Sequence, residues 1–185
     1  MHYKTDSDVD RLIRKGAAPV VLADAVVSML RGVAFTAFID AHGLGEWLPD
    51  GYAAADDTIW QEPDVDAAAA ALLRDYLKLY LEMWRQAELA KGVTITSGLK
   101  LDCQDKNIND WGNTKLLMDA ASMTSVDICD YDNATHTLTA AEYTQLVLEV
   151  GAHYQSVYSQ KWLRRQQLAA ATTVAECLAA VEVSG

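Results

Sequence analysis

Two capping boxes fix the points at which two helices of this chain begin. Thr139-Ala140-Ala141-Glu142 and Thr173-Val174-Ala175-Glu176 each place a threonine three residues before a glutamate. In a capping box the threonine hydroxyl accepts a hydrogen bond from the glutamate amide, and the glutamate carboxylate accepts one from the threonine amide. The spacing therefore predicts one helix from Thr139 to about Ala169 and a short last helix after Thr173.

Two short hairpins and a further helix are predicted before the first box. Hydrophobic and polar residues alternate over Val93–Leu101 around a Ser97-Gly98 turn, which is typical of two strands with one buried face. A second hairpin is predicted over Val126–Leu138, and a helix over Asp105–Ser122 lies between the two. The helix after Thr139 then carries a predicted core stripe of Tyr143, Leu146, Val147, Val150, Tyr154, Val157, Tyr158 and Trp162.

The chain divides into three predicted segments. Residues 1–63 form an N-terminal helical and loop lobe, in which Gly16 ends one short helix and Pro19 opens another. Residues 64–91 form a long connecting helix, and residues 92–185 form a C-terminal module of short hairpins packed on helices. The fold class that follows is α+β, mainly α.

The connecting helix is predicted to be the longest helix, and it is hydrophobic around much of its circumference. A helix that is hydrophobic on more than one side must be covered on more than one side. Its surplus hydrophobic surface predicts a homo-oligomer, whereas a central helix covered within one chain is the alternative. The residues concerned are Leu72, Leu73, Tyr76, Leu77, Leu79, Tyr80, Leu81, Met83 and Trp84.

Aromatic side chains are the candidates for contact with partner proteins, because such residues dominate the energetics of interfaces. Several lie in a loop region rich in glycine and proline, where they would alternatively fold back over the edge of the core. Trp84 is expected to be buried within the chain instead. The interface candidates are Trp47, Tyr52, Trp60, Tyr76, Tyr80 and Trp162.

The net charge of −11 opposes binding to a polyanion, so no nucleic-acid partner is expected. The basic run Lys161–Arg165 is interpreted as cations placed to suit a helix macrodipole. The hydrophobic run Ala17–Met29 is too short to span a bilayer and contains Asp24, so no membrane association is expected.

No constellation of catalytic, cofactor-binding or metal-binding residues is predicted. Asp105, Asn107 and Asn109 have the spacing of a calcium loop, but Asp110 replaces the required glycine and Leu116 the bidentate glutamate. The four histidines lack the spacing of a metal site. The cysteines, Cys103, Cys129 and Cys177, are interpreted as small hydrophobic residues of a reduced chain.

A set of short motifs is spread over roughly residues 83–183: Trp84-Arg85, Lys91-Gly92-Val93-Thr94, Leu101-Asp102, Leu138–Glu142, Gly151-Ala152-His153 and Ala169–Glu176. In these motifs the chain resembles an uncharacterised domain found at the C-terminal end of tail-fibre and fibre-associated proteins of tailed bacteriophages. Members often carry a Trp before the second hairpin turn, where this chain has Ile128 and Cys129.

The resemblance implies a virion structural protein of the tail or baseplate, made in the bacterial host cytoplasm, which contacts or attaches tail fibres. Its partners would then be other phage tail or fibre proteins. Two alternatives are a tail-fibre assembly chaperone, which binds the fibre and leaves, and an enzyme that degrades cell-envelope glycan. The last would need a pair of carboxylates in a cleft, and no pair stands out in the sequence, so a non-enzyme is expected.

Overall fold

The computed structural model describes residues 9, 11–30, 41 and 65–182, and it is mainly helical with two pairs of short antiparallel strands. This confirms the α+β, mainly α, class. The helices are α1 Pro19–Leu30, α2 Val65–Ala90, α3 Asp105–Ala120, α4 Ala140–Ala170 and α5 Val174–Val181, and residues 11–14 are also helical. The strands are β1 Val93–Thr94, β2 Lys100–Leu101, β3 Ser125–Cys129 and β4 Thr135–Thr139.

Both capping boxes form as predicted. The Glu142 carboxylate accepts from the Thr139 amide at 2.8 Å, and the Thr139 hydroxyl accepts from the Glu142 amide at 3.3 Å. Thr173 and Glu176 make the same reciprocal pair ahead of α5. The prediction that the connecting helix is the longest is wrong, because α4 has 31 residues and α2 has 26. The box starts α4 at Ala140, and the helix runs to Ala170, close to the predicted end at Ala169.

The chain folds as two compact units. Unit 1 comprises residues 1–81 and 163–185, and unit 2 comprises residues 82–162. In unit 1, α1 packs against α5. The Cys177 thiol donates to the Ala70 carbonyl at 3.7 Å, and the Arg74 guanidinium donates to the Ala171 carbonyl at 3.1 Å, just beyond the end of α4.

Unit 2 contains both hairpins. In the first, Val93 lies opposite Leu101, and the chain reverses through a three-residue loop in which Gly98 has a φ of +88°. The Ile95 amide closes this loop by donating to the Leu99 carbonyl at 2.9 Å. The strands are shorter than the alternation predicts, since only two residues of each form the ladder. The second hairpin pairs five residues with five, from Ser125 opposite Thr139 onward.

The core of unit 2 joins the hairpins to α3 and α4. The Tyr143 side chain is fully buried and its hydroxyl donates to the Trp111 carbonyl at 3.0 Å. The Trp111 indole in turn donates to the Asp102 carbonyl at 3.0 Å. The buried residues of this core are Leu89, Ile95, Leu101, Cys103, Met118, Ile128, Tyr143, Leu146, Val150 and Val157. Trp84 packs against them partly buried.

Most of the predicted α4 stripe faces this core, but Trp162 does not. Its side chain is 52% exposed, whereas Tyr143, Leu146 and Val150 are fully buried. Among the described residues, no helix is long and apolar enough to cross a membrane.

Candidate functional site

A buried arginine forms the centre of a charged cluster in unit 2. Arg85, near the end of α2, is 4% exposed and binds the carboxylate of Asp105, the first residue of α3, with two hydrogen bonds of 2.7 and 3.0 Å. The Arg85 Nε also donates to Glu82 at 2.8 Å. Tyr154 of α4 donates its hydroxyl to Asp105 at 2.9 Å. The cluster therefore connects three helices through Arg85 and Asp105.

A second buried cation completes the cluster. Lys161 is 5% exposed, and its ammonium donates to the carboxylate oxygen of Glu82 that Arg85 leaves free. The Lys161 ammonium also lies 4.9 Å from the centre of the Tyr158 ring, and the Arg85 guanidinium lies 5.1 Å from it. Interpreting Lys161 as a dipole-facing cation is wrong, because α4 continues to Ala170 and the macrodipole acts within the last turn.

The pKa shifts of the two carboxyl groups in the cluster favour their charged forms. Burial opposes ionisation of Glu82, but the hydrogen bonds from Lys161 and Arg85 outweigh it and lower the Glu82 pKa. The Arg85 guanidinium lowers the pKa of Asp105. Burial, together with the hydrogen bond to Asp105, raises the pKa of Tyr154 to about 12.

These shifts fit a structural role better than acid–base catalysis. A general acid or base works best when its pKa lies near the operating pH. The Glu82 and Asp105 carboxyls have their pKa values moved away from neutrality, and so does the Tyr154 phenol. We therefore assign the cluster to holding α2, α3 and α4 together within unit 2.

A pocket of about 360 Å³ lies beside the cluster, at the N-terminal end of α3. Its volume is at the lower end of the range for small-molecule sites. Two members of the cluster, Arg85 and Asp105, also line the pocket, and they are bound to each other rather than directed at a ligand. The pocket is lined by Arg85, Gln86, Leu89, Ala90, Gln104, Asp105 and Lys106.

The described residues contain no group of three or more His, Cys, Asp or Glu side chains that could hold a metal ion. Burial raises the pKa of the Cys103 thiol to about 11, which disfavours the thiolate that metals and electrophiles require. Cys129 differs from the prediction for the cysteines, because it is exposed on β3. His136 is occupied by Asp130, whose carboxylate lies 2.7 Å from its Nε2.

The second notable surface is a hydrophobic patch on α3, which we call the α3 patch and define as Leu116, Leu117 and Met123. The two leucines are 69% and 62% exposed, and Met123, just past the helix, is 39% exposed. Met118, their neighbour in the chain, is buried in the core. The helix thus presents two large apolar side chains to solvent.

The structure places the predicted interface residues in three different situations. Trp47, Tyr52 and Trp60 lie outside the described residues. Tyr76 and Tyr80 are half-buried on α2. Trp162 is exposed on α4. The structure therefore brings none of the described three into the α3 patch.

The surplus hydrophobic surface expected on α2 is found mainly elsewhere. Leu73, Leu77 and Leu81 are fully buried, and the exposed large aliphatic side chain of this helix is Leu79, at 37%. More strongly exposed apolar residues lie on α3 and α4. The surface of α2 is covered because its hydrophobic residues contribute to the buried cores of both units.

The α3 patch was missed by the sequence analysis, although a signal for it exists. Leu116, Leu117 and Met118 follow one another directly, and each residue of a helix is turned about 100° from the last. Three consecutive apolar residues cannot all face one core. The signal says that one of them must be exposed, but it does not say which.

Comparison with known proteins identifies the family. No curated protein and no solved structure matches the chain. A family model described as a domain of unknown function, DUF4376, matches residues 66–182, which is more than half of the chain. The chain therefore belongs to the DUF4376 family.

Proposed function

We propose that this protein is a structural component of a bacteriophage virion, in the tail or baseplate, and that it contacts or attaches tail fibres. The proposal takes its biological setting from the resemblance of residues 83–183 to domains of fibre-associated proteins. It takes its mode of action, binding to other proteins, from the surface of unit 2. The chain would also associate with copies of itself.

The observation that carries the proposal is the exposure of two consecutive leucines, Leu116 and Leu117, on α3. Contiguous apolar side chains on a protein surface mark sites of interaction. Polar groups border the patch, since Lys115 and Asp119 form an ion pair at 2.5 Å on the same helix. An apolar centre with a polar rim is the usual anatomy of a protein interface.

The contacts that hold α3 in place within unit 2 support the same proposal. The Arg85 cluster connects α2, α3 and α4, and Met118 anchors α3 in the core of unit 2. A surface held in one conformation loses little entropy when a partner binds. The α3 patch is therefore preorganised for a neighbouring protein.

The test is incorporation into particles. In a phage that encodes this chain, quantitative mass spectrometry of purified virions should find its peptides. The double variant Leu116→Gln, Leu117→Gln should reduce the copy number at least about tenfold, because a lost hot spot contributes about 2 kcal/mol or more. Val20→Gln is the matched control, since Val20 is a 53% exposed aliphatic residue of another helix, α1.

Two outcomes would overturn the proposal. Virions that contain no peptide of this chain would exclude a structural role. If the chain then co-purified with fibre protein from the lysate, it would be an assembly chaperone. Unchanged incorporation of the double variant would remove the α3 patch as the binding surface.

A further inference from the structure

One face of α4 is exposed and uncharged along most of the helix. The positions on it follow a four–three–four–three spacing, which keeps them in line on a helix. All of them are exposed, and two are large: Leu148 at 62% and Trp162 at 52%. We call this face the α4 seam and define it as Ala141, Gln145, Leu148, Ala152, Gln155, Ser159 and Trp162.

The charged residues of α4 within unit 2 are engaged within the chain. Glu142 is held in the capping box. One carboxylate oxygen of Glu149 accepts hydrogen bonds from the Thr96 amide at 2.7 Å and the Thr96 hydroxyl at 2.9 Å, and the other accepts from the Gln145 side chain of the seam at 2.9 Å. Lys161 is buried against Glu82. The seam residues themselves therefore carry no charge in a chain whose net charge is −11.

This lack of charge favours a second copy of the same chain as the occupant. Two copies that each carry −11 repel one another, and the repulsion is least where neither presents charged side chains. The exposed face of α3 makes the contrast, because it includes Asp105, Lys106, Asp110 and Asp119. Asp105 and Asp119 are ion-paired there, and Asp110 adds a further exposed carboxylate.

The pattern of the seam is also complementary to itself. Gln155 lies seven residues after Leu148 and seven before Trp162. If two α4 helices pack antiparallel about a two-fold axis at Gln155, Leu148 of each copy meets Trp162 of the other. The small residues Ala152 and Ser159 leave room for the indole rings. Such an interface uses the same patch on both subunits and closes as a dimer.

We propose that two copies of this protein associate through the α4 seam as an antiparallel two-fold dimer. The inference rests on the proposed self-association and names its surface, and it does not depend on the α3 patch or on a place in the virion. Residues 148–162, which face one another about this axis, span about 21 Å at 1.5 Å per residue, with two large anchors per copy. We therefore expect a dissociation constant of the order of 10 µM.

The first test is sedimentation equilibrium of the full chain from about 1 to 200 µM, a range that brackets the expected constant. The unchanged protein should pass from monomer to dimer mass. Trp162→Ala and Leu148→Glu should each raise the dissociation constant at least about 30-fold, the effect of losing a hot spot. Leu116→Gln, Leu117→Gln is the control, and it should dimerise like the unchanged protein.

The second test uses cross-linking to locate the two-fold axis of the dimer. In a Cys129→Ser background, which removes the exposed thiol, Gln155→Cys should be cross-linked into a dimer by a short bis-maleimide. Asn113→Cys, exposed on α3, should remain monomeric under the same treatment.

Three results would overturn the inference. One is a monomer at every concentration. Another is a dimer that Leu148→Glu and Trp162→Ala leave intact, and the third is equal cross-linking at positions 113 and 155. Leu148 and Trp162 are largely exposed, so both variants should keep the helical circular dichroism of the unchanged protein. The dimer can be wrong while the proposed function is right. That is the result if the protein does not dimerise through the α4 seam but the Leu116→Gln, Leu117→Gln variant is still lost from virions.

Discussion

Gly92 connects α2 to β1 in a conformation that other residues adopt only with strain. Its φ is +70°, and a Cβ added there would lie 2.7 Å from the Leu101 carbonyl oxygen and 2.8 Å from the Tyr131 ring. Tyr131 also donates its hydroxyl to the Ala90 carbonyl at 3.2 Å. The second hairpin is thus packed directly on the end of α2, and only glycine leaves enough space.

We expect Gly92→Ala to destabilise the fold by at least about 3 kcal/mol, since left-handed strain and steric overlap act together. Gly98→Ala is the matched control, because Gly98 has a φ of +88° but nothing within 4 Å of an added Cβ. That variant should cost about 1 kcal/mol. Urea unfolding measures both, and equal losses would show that the contact with Leu101 and Tyr131 is unimportant.

The Arg85 cluster makes a second prediction at this scale. Arg85→Met should destabilise unit 2 by about 2–3 kcal/mol, because it leaves Asp105 without its partner. The value is below that for a fully buried pair because the Asp105 side chain is 58% exposed. Lys78→Met breaks an exposed pair with Asp75 and should change stability by less than about 0.5 kcal/mol. Similar effects of the two variants in urea unfolding would contradict the assignment.

At the scale of elements, local signals predicted the helix starts but not the contacts between helices. The Thr139 and Thr173 boxes act within four residues, so the sequence alone is enough to recognise them. Arg85 and Asp105 are 20 residues apart, and Glu82 and Lys161 are 79 apart. Spacing within a helix gives no information on pairs so distant, because many equally charged residues compete for each partner.

Acid should weaken these elements. Backbone and side-chain hydrogen bonds from Thr139 lower the pKa of Glu142, and those from Thr172 and Thr173 lower that of Glu176. A carboxyl group whose pKa is lower in the folded state stabilises that state at pH values above its pKa in the unfolded chain, which is about 4.5. The stabilisation is lost as pH falls through the pKa of the folded state. The urea concentration at the midpoint of unfolding should therefore decrease as pH is lowered from about 5 to about 3.

The combined variant Glu142→Gln, Glu176→Gln should flatten this pH dependence, because its two caps no longer titrate. Its urea midpoint should be compared with that of the unchanged protein across the same pH range. The same slope in both proteins would show that the acid sensitivity arises in other carboxylates, such as Asp130 beside His136.

At the scale of the whole molecule, a strongly acidic chain presents two surfaces with different electrostatic character. The α4 seam is uncharged, whereas the α3 patch is bordered by Lys115 and Asp119. Salt screens the repulsion between copies that each carry −11. The dimer dissociation constant should therefore fall about three- to tenfold from 0.05 to 0.5 M NaCl. Weaker dimerisation at high salt, measured by sedimentation, would contradict an uncharged seam.

The central claim is that this protein acts by binding its neighbours through the α3 patch. Cross-linking mass spectrometry of intact virions, with a lysine-reactive reagent, tests it most directly. Lys115, next to Leu116, should be joined to a tail or fibre protein more often than Lys91, whose side chain is 66% exposed but far from the patch in the sequence. Cross-links to other proteins from Lys91 but none from Lys115, or no peptide of this chain in the particle, would contradict the claim.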